Sequence, residues 1–371
     1  MSSQIQSIET LLVDLPTIRP HKLSMATMAT QTMVIVRLHC SDGIEGLGEA
    51  TTIGGLSYGP ESPESMKVNI DTWLGPVLLG EDAANINALM AKLSKVAQGN
   101  AIAKSALETA LLDAQGKRLG VSVATLLGGA QHTHLPVLWT LASGDTERDI
   151  EEAQRLVDER RHRDFKLKIG LRSVDQDVRH VAAIKAALGD NVSVRVDVNQ
   201  AWDENTAVRA ISALQEAGVE LIEQPIPARE HAGMARLSRR FEVAMLADEG
   251  VQDSTDGLTL ISQGFSGAFA LKIAKSGGPR GALRLAQMAQ TAGIGLYGGT
   301  MLEGTIGSVA ALHAWATLPA MAWGTEMFGP LLLTDDIVAR PLKFAEFGVE
   351  LPTGPGLGVE IDEDRLKEFA R

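Results

Sequence analysis

The feature that most constrains the fold of this chain is a series of short β-rich segments at nearly regular intervals. Their starts lie roughly 23 to 30 residues apart, which is the length of a β-strand followed by a helical crossover to the next parallel strand. Most of the gaps hold one amphipathic helical pattern. The eight segments are 135–143, 165–170, 193–199, 221–225, 245–250, 268–275, 293–301 and 322–330. Eight such strands predict a closed parallel barrel, with its chemistry at the carboxyl ends of the strands.

The residues before the first segment follow a different pattern. Residues 8–16 are typical of a strand, and 33–50 of a hairpin whose turn is Asp42-Gly43. Apolar residues at helical spacing then occur at 62–79, 86–98 and 101–118. Strands followed by helices indicate an α+β unit of its own.

These two patterns predict the domain organisation. We expect an α/β protein, a (β/α)7β TIM-like barrel over residues 131–335, with an N-terminal α+β capping domain over residues 1–130. The turn-rich C-terminal segment, 336–371, has no barrel partner left. We therefore expect it to return to the capping domain and complete it.

Composition excludes several classes of partner. The formal net charge of −12 argues against nucleic acid and anionic membrane surfaces, because binding phosphates requires a basic face. A single cysteine, Cys40, excludes disulfides within the chain and cysteine-rich zinc sites. The first residues show no signal-peptide pattern, and no apolar run has the character of a membrane span. We expect a cytoplasmic protein that acts on a small molecule.

Three acidic residues close three consecutive segments. Asp197, Glu223 and Asp248 end the third, fourth and fifth of them, so they should lie side by side at the rim of a barrel. Three carboxylates in a half-buried site repel one another unless a cation lies among them. Oxygen ligands of this kind suit Mg²⁺ or Mn²⁺. Each residue alone could instead cap the following helix, but the three together predict a metal site.

Lysines occupy two further segments. Lys166 and Lys168 alternate with apolar residues, which puts both on one face of the second strand; a solvent-exposed edge strand is the alternative. Lys272 lies on the sixth strand, opposite the second in a ring of eight, so it would face Lys168 across the metal. Burial, a second ammonium group and a divalent cation disfavour the charged form of a lysine, which makes it a usable base near neutral pH. Lys272 could instead be a surface residue or a Schiff-base lysine, although the acidic trio speaks against the latter.

Two more polar residues end predicted strands. Asn199 closes the third segment, and we assign it to substrate binding. Glu326 lies in the eighth, where it could hydrogen-bond a substrate carboxyl or an opposing amine, or cap a helix. The whole set suits proton transfer beside a carboxylate, in which a metal takes up charge as an enolate forms and a lysine moves the α-proton.

Longer stretches carry a more specific pattern. They are RPHKLSMATM (19–28), TTIGGLSYG (51–59), WTLASGDT (139–146), RVDVNQAWDE (195–204), ALKIAKSGGP (270–279), GGTMLEG (298–304) and WGTEMFGPLLLT (323–334). With these stretches, nearly the whole chain resembles the enolase superfamily, and within it the muconate lactonizing group. The Lys-x-Lys strand with its Asp, Glu and Asp is specific for the superfamily, whereas the loops at 51–59 and 298–304 point to the muconate cycloisomerases.

The resemblance implies conversion of cis,cis-muconate, a small dicarboxylate, to muconolactone in catechol degradation by the β-ketoadipate route. It implies one Mn²⁺ (or Mg²⁺) per subunit, bound by Asp197, Glu223 and Asp248. It also implies a homo-oligomer, typically an octamer.

The resemblance implies roles for the remaining residues as well. Lys168 would be the acid/base, Lys166 would orient it, and Lys272 would hold the enolate from the opposite face. Glu326 matches a glutamate usually assigned as a proton donor. Ile53 and Tyr58 would come from the first domain and cover the substrate.

Other readings remain at this point. A chloromuconate cycloisomerase, a dipeptide epimerase or an o-succinylbenzoate synthase would use the same barrel, as would a non-catalytic barrel subunit. The epimerase and the synthase differ in first-domain loops, so Ile53, Tyr58 and segment 18–28 discriminate them. MLEG (301–304) and AKSGG (274–278) favour muconate over chloromuconate.

Two features qualify the resemblance. Gly250 stands after ADE where the family often has serine, which puts a supporting hydroxyl in doubt but not the ligand beside it. YGGTM (297–301) is a weak version of the anion nest of a phosphate-binding barrel, a reading that the acidic trio disfavours.

Overall fold

The computed structural model describes residues 3–22 and 27–371. Its N-terminal unit holds an antiparallel sheet in the order β1 (Ile5–Lys22), β2 (Thr27–Cys40), β3 (Glu45–Thr51). The predicted turn lies between β2 and β3, where Gly43 adopts a φ of 79°, a conformation that glycine reaches without strain. Residues 23–26, in the discriminating segment 18–28, lie outside the described residues.

Helices follow this sheet in the chain, and two of them pack directly on it. They are α1 (Pro63–Asn69), which continues as a π-helical turn (Ile70–Leu74), α2 (Ile86–Val96), α3 (Ala101–Leu119) and α4 (Val123–Leu126). The long, almost fully buried α3 packs directly on β3. Gly46 and Gly48 allow this approach, because a β-carbon at either position would lie 2.0 Å from a carbonyl oxygen of α3.

The second unit is a ring of parallel strands and helices in alternation. The strands are β5 (Trp139–Leu141), β6 (Asp164–Lys168), β7 (Ser193–Asp197), β8 (Leu221–Glu223), β9 (Ala244–Ala247), β10 (Ala268–Leu271) and β11 (Gly295–Gly298). The helices that follow them are α5 (Thr146–Asp158), α6 (Val174–Leu188), α7 (Glu204–Glu216), α8 (His231–Arg240), α9 (Ser254–Ser262), α10 (Pro279–Thr291) and α11 (Thr305–Trp315). The seven strands are hydrogen-bonded in chain order, so the predicted (β/α)7β order is confirmed. In the part of the chain that the structure describes, no helix combines the length and apolar character needed to cross a bilayer.

The eighth strand position is reduced to Thr325. This residue forms parallel bridges to Gly298 on one side and to Val137 on the other, and so joins the two ends of the seven-stranded sheet. The predicted segment 322–330 is shorter as a strand because the chain turns at Gly324, which has a φ of 64°, and enters a 3₁₀-helix at Gly329–Leu332.

The first predicted strand, 135–143, divides into two elements. Its start, β4 (His134–Pro136), pairs antiparallel with β13 (Gly348–Glu350), which pairs with β12 (Phe344–Ala345). The partners change at Pro136, which has no amide hydrogen and whose carbonyl oxygen accepts the Thr325 N–H at 3.0 Å. Part of the C-terminal segment therefore pairs beside the barrel, which the sequence analysis did not predict.

The end of the chain lies on the N-terminal unit, with α12 (Glu363–Phe369) as its last element. Ala370 bridges Val13 of β1, and Arg37 of β2 binds Glu363 at 2.8 Å. The C-terminal segment thus contacts both units, and the boundaries at 130 and 335 stay a prediction.

Candidate active site

One cavity opens at the carboxyl ends of the barrel strands. All ten residues assigned to the site from the sequence line it, namely Ile53, Tyr58, Lys166, Lys168, Asp197, Asn199, Glu223, Asp248, Lys272 and Glu326. Its wall also includes Thr140, Thr300, Leu302 and Phe328, which the sequence analysis did not assign. The structure brings the predicted residues together, whereas the role of each stays a prediction.

Strand register sets the acidic residues in a row. Asp197 is paired with Glu223 across β7 and β8, and Glu223 with Leu246 across β8 and β9. Asp248 follows Leu246 by two residues and therefore shares its face of the sheet. All three carboxylates are at most 2% exposed, so charge among them is poorly screened by solvent.

Each carboxylate is bound by a lysine. The Lys166 ammonium group donates to Glu223 at 2.8 Å and forms an ion pair with Glu326. Lys168 donates to Asp197 at 2.5 Å.

A second pair of lysines serves the third carboxylate. Lys272 and Lys275 each donate to Asp248 at 2.7 Å. Lys168 ends β6, whereas Lys272 directly follows β10. In a ring of seven strands and the Thr325 position, three positions separate these two strands in either direction. Lys168 and Lys272 therefore lie on opposite walls, as the sequence analysis expected.

The surroundings of the three acidic residues shift their pKa values in different directions. Burial and the charge of Asp197 raise the pKa of Glu223 well above its ordinary value, and Lys166 only partly offsets this. Burial would also raise the pKa values of Asp197 and Asp248, but the adjoining lysines outweigh it and lower both. The lysines thus favour the ionised forms of Asp197 and Asp248, whereas the ionised form of Glu223 stays disfavoured.

Asp197, Glu223 and Asp248 fit a divalent cation by their chemistry, since they are hard oxygen donors from adjacent strand ends. Burial and Asp197 disfavour the ionised form of Glu223 and so raise its pKa, and the positive charge of such a cation would favour that form. In the arrangement described, their oxygens face lysines, and within residues 3–22 and 27–371 no three His, Cys, Asp or Glu side chains are grouped as a ready metal cage. Holding an ion would require the carboxylates to exchange lysine partners for it.

The N-terminal unit contributes the outer wall of the cavity. The Tyr58 hydroxyl donates to Asp248 at 3.1 Å and accepts from Lys272 at 2.9 Å. The ammonium group of Lys272 also lies 4.6 Å from the centre of the Tyr58 ring, a favourable cation–π distance. Ile53 is buried beside them and supplies an apolar surface.

Several residues at this rim have strained backbone conformations. Asn199, Gln224 and Leu302 adopt φ values of 44°, 34° and 61°, which are unfavourable for residues other than glycine and are common at functional sites. The Asn199 side chain donates to Asp197 at 3.3 Å and to Glu249 at 3.2 Å, so it connects the third and fifth strand ends.

Sequence reasoning missed two supporting residues. The buried Lys275 donates to both the side chain and the carbonyl of Asp248, and its spacing three residues after Lys272 is the only signal that the sequence offers. Gln224 accepts from Asp248 N–H and Gly250 N–H, each at 3.0 Å. Gln224 thereby holds the backbone at Gly250, where the sequence analysis had asked about a missing hydroxyl.

Models of known families match both units of the chain. The enolase C-terminal domain-like model covers residues 148–365, which is more than half of the chain. The N-terminal domain model of mandelate racemase and muconate lactonizing enzyme covers residues 7–128. The chain belongs to the mandelate racemase/muconate lactonizing enzyme family. Membership in this family implies dependence on a divalent metal ion.

Individual members of this family are similar over their full length. Muconate cycloisomerase 1 of Pseudomonas putida is 58% identical over 99% of this chain and 98% of its own. A chloromuconate cycloisomerase of Cupriavidus necator is 44% identical over 99% of both chains. The crystal structure of muconate lactonizing enzyme from Pseudomonas fluorescens, complexed with muconolactone, matches with a TM-score of 0.98 at 58% identity over 100% of both chains.

Proposed function

We propose that this protein is an isomerase that converts cis,cis-muconate to muconolactone, a step of catechol degradation by the β-ketoadipate route. The observation that carries the proposal is the pair of lysines, Lys168 and Lys272, on opposite walls of one cavity with a row of carboxylates between them. The 58% identity with a muconate cycloisomerase over nearly the full length supports the substrate.

The reaction is an intramolecular addition followed by a proton transfer. One carboxylate oxygen of muconate forms a C–O bond to the conjugated double bond, whose electron pair moves toward the second carboxylate and gives an enolate. Lys168 then donates a proton to the carbon next to that carboxylate, which completes the lactone. The dianionic substrate becomes a monoanion with uptake of one proton, and solvent reprotonates the lysine.

The neighbouring groups would orient this step. Lys166 is enclosed between Glu223 and Glu326 and would keep Lys168 in place while adding positive charge. Lys272 would face the enolate from the other wall, steadied by Tyr58. We assign Glu326 to the catalytic set through its contact with Lys166.

We propose one Mn²⁺ or Mg²⁺ per subunit at Asp197, Glu223 and Asp248. When bound, the cation would supply positive charge to the substrate carboxylate as the enolate forms. Chelation followed by titration with Mn²⁺ or Mg²⁺ in a calorimeter tests the stoichiometry, and Asp197→Asn should weaken binding of either ion.

We further propose a homo-oligomer, an octamer by family resemblance, in the cytoplasm. Exposed apolar side chains on the N-terminal unit, among them Val68, Trp73 and Leu79, offer surface that subunit contacts could bury. Light scattering of the purified protein gives the number of subunits.

A turnover assay tests the main proposal. Purified protein with Mn²⁺ should remove the ultraviolet absorbance of cis,cis-muconate, and NMR in deuterated water should identify the product as muconolactone. Epimerisation of an Ala-Glu dipeptide without muconate turnover would favour the epimerase reading instead. A non-catalytic subunit would be favoured if the protein shows neither activity and if a Lys168→Ala variant binds ligand as the parent does.

A chloromuconate preference is the second candidate, because chloromuconate cycloisomerases are 44% identical over almost the whole chain. The higher identity to muconate cycloisomerases favours muconate. The ratio of kcat/KM for muconate to that for a chloromuconate decides between them.

A further inference from the structure

The loop after β11 forms one wall of the cavity in a strained conformation. Leu302, which lines the cavity, is buried and has a φ of 61°. A left-handed conformation is unfavourable for a residue other than glycine and persists only where surrounding contacts hold it. From within the loop, the Thr300 hydroxyl accepts the Leu302 N–H at 2.8 Å and itself donates to Glu303.

Further contacts that hold the loop around Leu302 come from the N-terminal unit. Gln31, on β2, is 2% exposed. Its side-chain nitrogen lies 2.9 Å from the Leu302 carbonyl oxygen and 3.2 Å from that of Met301. Glu49, on β3, accepts the N–H groups of Gly304 and Gly307 at 2.7 and 2.8 Å. Two strands of the N-terminal unit therefore hold a loop of the barrel.

The same Gln31 nitrogen also contacts the end of β3, close in the chain to another part of the cavity wall. It lies 3.0 Å from the Thr51 hydroxyl oxygen, and Thr51 donates its own hydrogen to Thr32 O at 2.7 Å. Thr51 must therefore accept from Gln31, as the two loop carbonyls also must. The two amide hydrogens are thus shared among three acceptors, and this agreement fixes the orientation of the amide. Thr51 is the last residue of β3, two residues before Ile53 in the cavity wall.

We infer that Gln31 is a positioning residue that sets the separation of Ile53 and Leu302, and thereby the selection among muconates that carry substituents on the carbon chain. Gln31 does not line the cavity; it acts through the carbonyl groups of Met301 and Leu302 on one side and through the Thr51 hydroxyl on the other. The identity of the substrate in this inference rests on the proposed function, whereas the coupling of the two walls does not.

Two measurements on Gln31→Leu test this inference, with Gln215→Leu as the matched control. Gln215 also holds two backbone groups, the N–H groups of Glu242 and Val243, but it lies on α7, away from the cavity. Hydrogen exchange read by mass spectrometry should show faster amide exchange in 51–58 and 300–307 for Gln31→Leu, and parental rates there for Gln215→Leu.

Kinetics supply the second measurement. The loss of hydrogen bonds that contribute about 1 kcal/mol changes an equilibrium or kinetic constant roughly fivefold. Gln31→Leu should raise KM for cis,cis-muconate about fivefold with a smaller change in kcat, and should lower the preference for muconate over 3-methylmuconate by a similar factor. Gln215→Leu should leave KM and the preference unchanged.

The inference is overturned if Gln31→Leu lowers the Tm but keeps the KM, the substrate preference and the amide exchange rates of the parent protein. Gln31 would then only support the fold. If Gln31→Leu does not fold, Thr51→Val removes one acceptor of the amide, and parental exchange and kinetics in that variant would overturn the inference equally. A parent protein that does not turn over muconate would refute the proposed function alone. The exchange measurement would then decide the coupling by itself.

Discussion

Lys166 and Lys168 lie two residues apart on β6 and meet different surroundings. The side chain of Lys166 is 1% exposed and that of Lys168 is 16% exposed. Burial would lower the pKa of Lys166, but the charges of Glu223 and Glu326 outweigh it and hold that pKa well above its ordinary value. Lys166 therefore retains its proton, and Lys168 is the better placed of the two to transfer one.

Replacing Lys168 by methionine should abolish turnover without unfolding the protein. Methionine keeps the length of the side chain and removes the proton donor, so kcat should fall by about 10²–10⁴-fold. The control is Lys185→Met on α6, because its ammonium group contacts Gly189 O, Val192 O and Glu220, none of which lines the cavity, so this change should leave kcat unchanged. Circular dichroism monitors folding, and substantial turnover by Lys168→Met would contradict the assignment.

A substitution at Ile53 tests the contribution of the apolar part of the cavity. Ile53→Gln places an amide in a buried apolar position, where an unsatisfied polar group is unfavourable by about 1–3 kcal/mol. KM for muconate should rise by roughly tenfold or more, while Mn²⁺ affinity should stay parental because Ile53 is not among the proposed ligands. Steady-state kinetics and calorimetry measure the two, and a loss of metal affinity would show that the change disturbs the whole site.

Period-two alternation was enough to predict that Lys166 and Lys168 share a face, and the structure brings both to the cavity. It could not predict their different partners, because those depend on residues far along the chain, such as Glu326. Gln31 escaped prediction for a similar reason. Its role depends on how a strand of one unit meets a loop of the other.

At the scale of elements, three acidic side chains lie close together near the start of α11. Glu49 and Glu303 lie there, and Asp336 accepts from Thr305 at 2.5 Å. Burial raises the pKa of all three, and it raises that of Glu49 to about 8 although two N–H groups oppose the shift. We therefore expect the contact between β3 and α11 to be sensitive to pH.

This cluster predicts that stability falls as pH rises. The folded protein holds the proton of Glu49 more tightly than the unfolded chain, so the stabilisation is complete below the unfolded value of 4.5 and is lost as pH approaches about 8. One pKa unit is about 1.4 kcal/mol, so the shift from 4.5 to about 8 sets an upper bound of about 5 kcal/mol. The Tm of the parent should fall between pH 5 and 8, and Glu49→Gln should make that fall shallower. An equal slope in both proteins would assign the pH dependence to other groups.

The order of strands and helices was predictable, whereas two local details were not. The repeat spacing predicted the alternation, because each strand–helix unit buries its apolar face in the same way. The reduction of the eighth strand to Thr325 and the separate pairing of β4 depend on partners about 190 or more residues apart in the chain, as the Val137–Thr325 and Gly348–Pro136 pairs show. Local sequence patterns do not specify such partners.

At the scale of the whole molecule, one buried carboxylate ties the C-terminal segment to the N-terminal unit. Asp113 on α3 is fully buried. One of its oxygens accepts the Leu357 N–H at 2.7 Å, and the other accepts the Leu47 N–H at 2.8 Å and contacts Lys117 at 2.7 Å. Asp113 therefore connects α3, β3 and the C-terminal segment at one point.

Asp113→Asn should loosen this connection without touching the cavity. An amide retains one acceptor oxygen but turns an NH₂ group toward a buried N–H, and the ion pair with Lys117 is lost, so we expect a loss of about 2–3 kcal/mol. Asp253→Asn is the control, because Asp253 accepts from Thr255 and Asp256 only at the start of its own helix, where asparagine caps equally well. The Asp113 variant should show a lower Tm and faster amide exchange in 356–371, while KM for muconate stays parental. Parental exchange in that segment would mean that the other contacts of the C-terminal segment, such as the bridge between Ala370 and Val13, suffice to hold it.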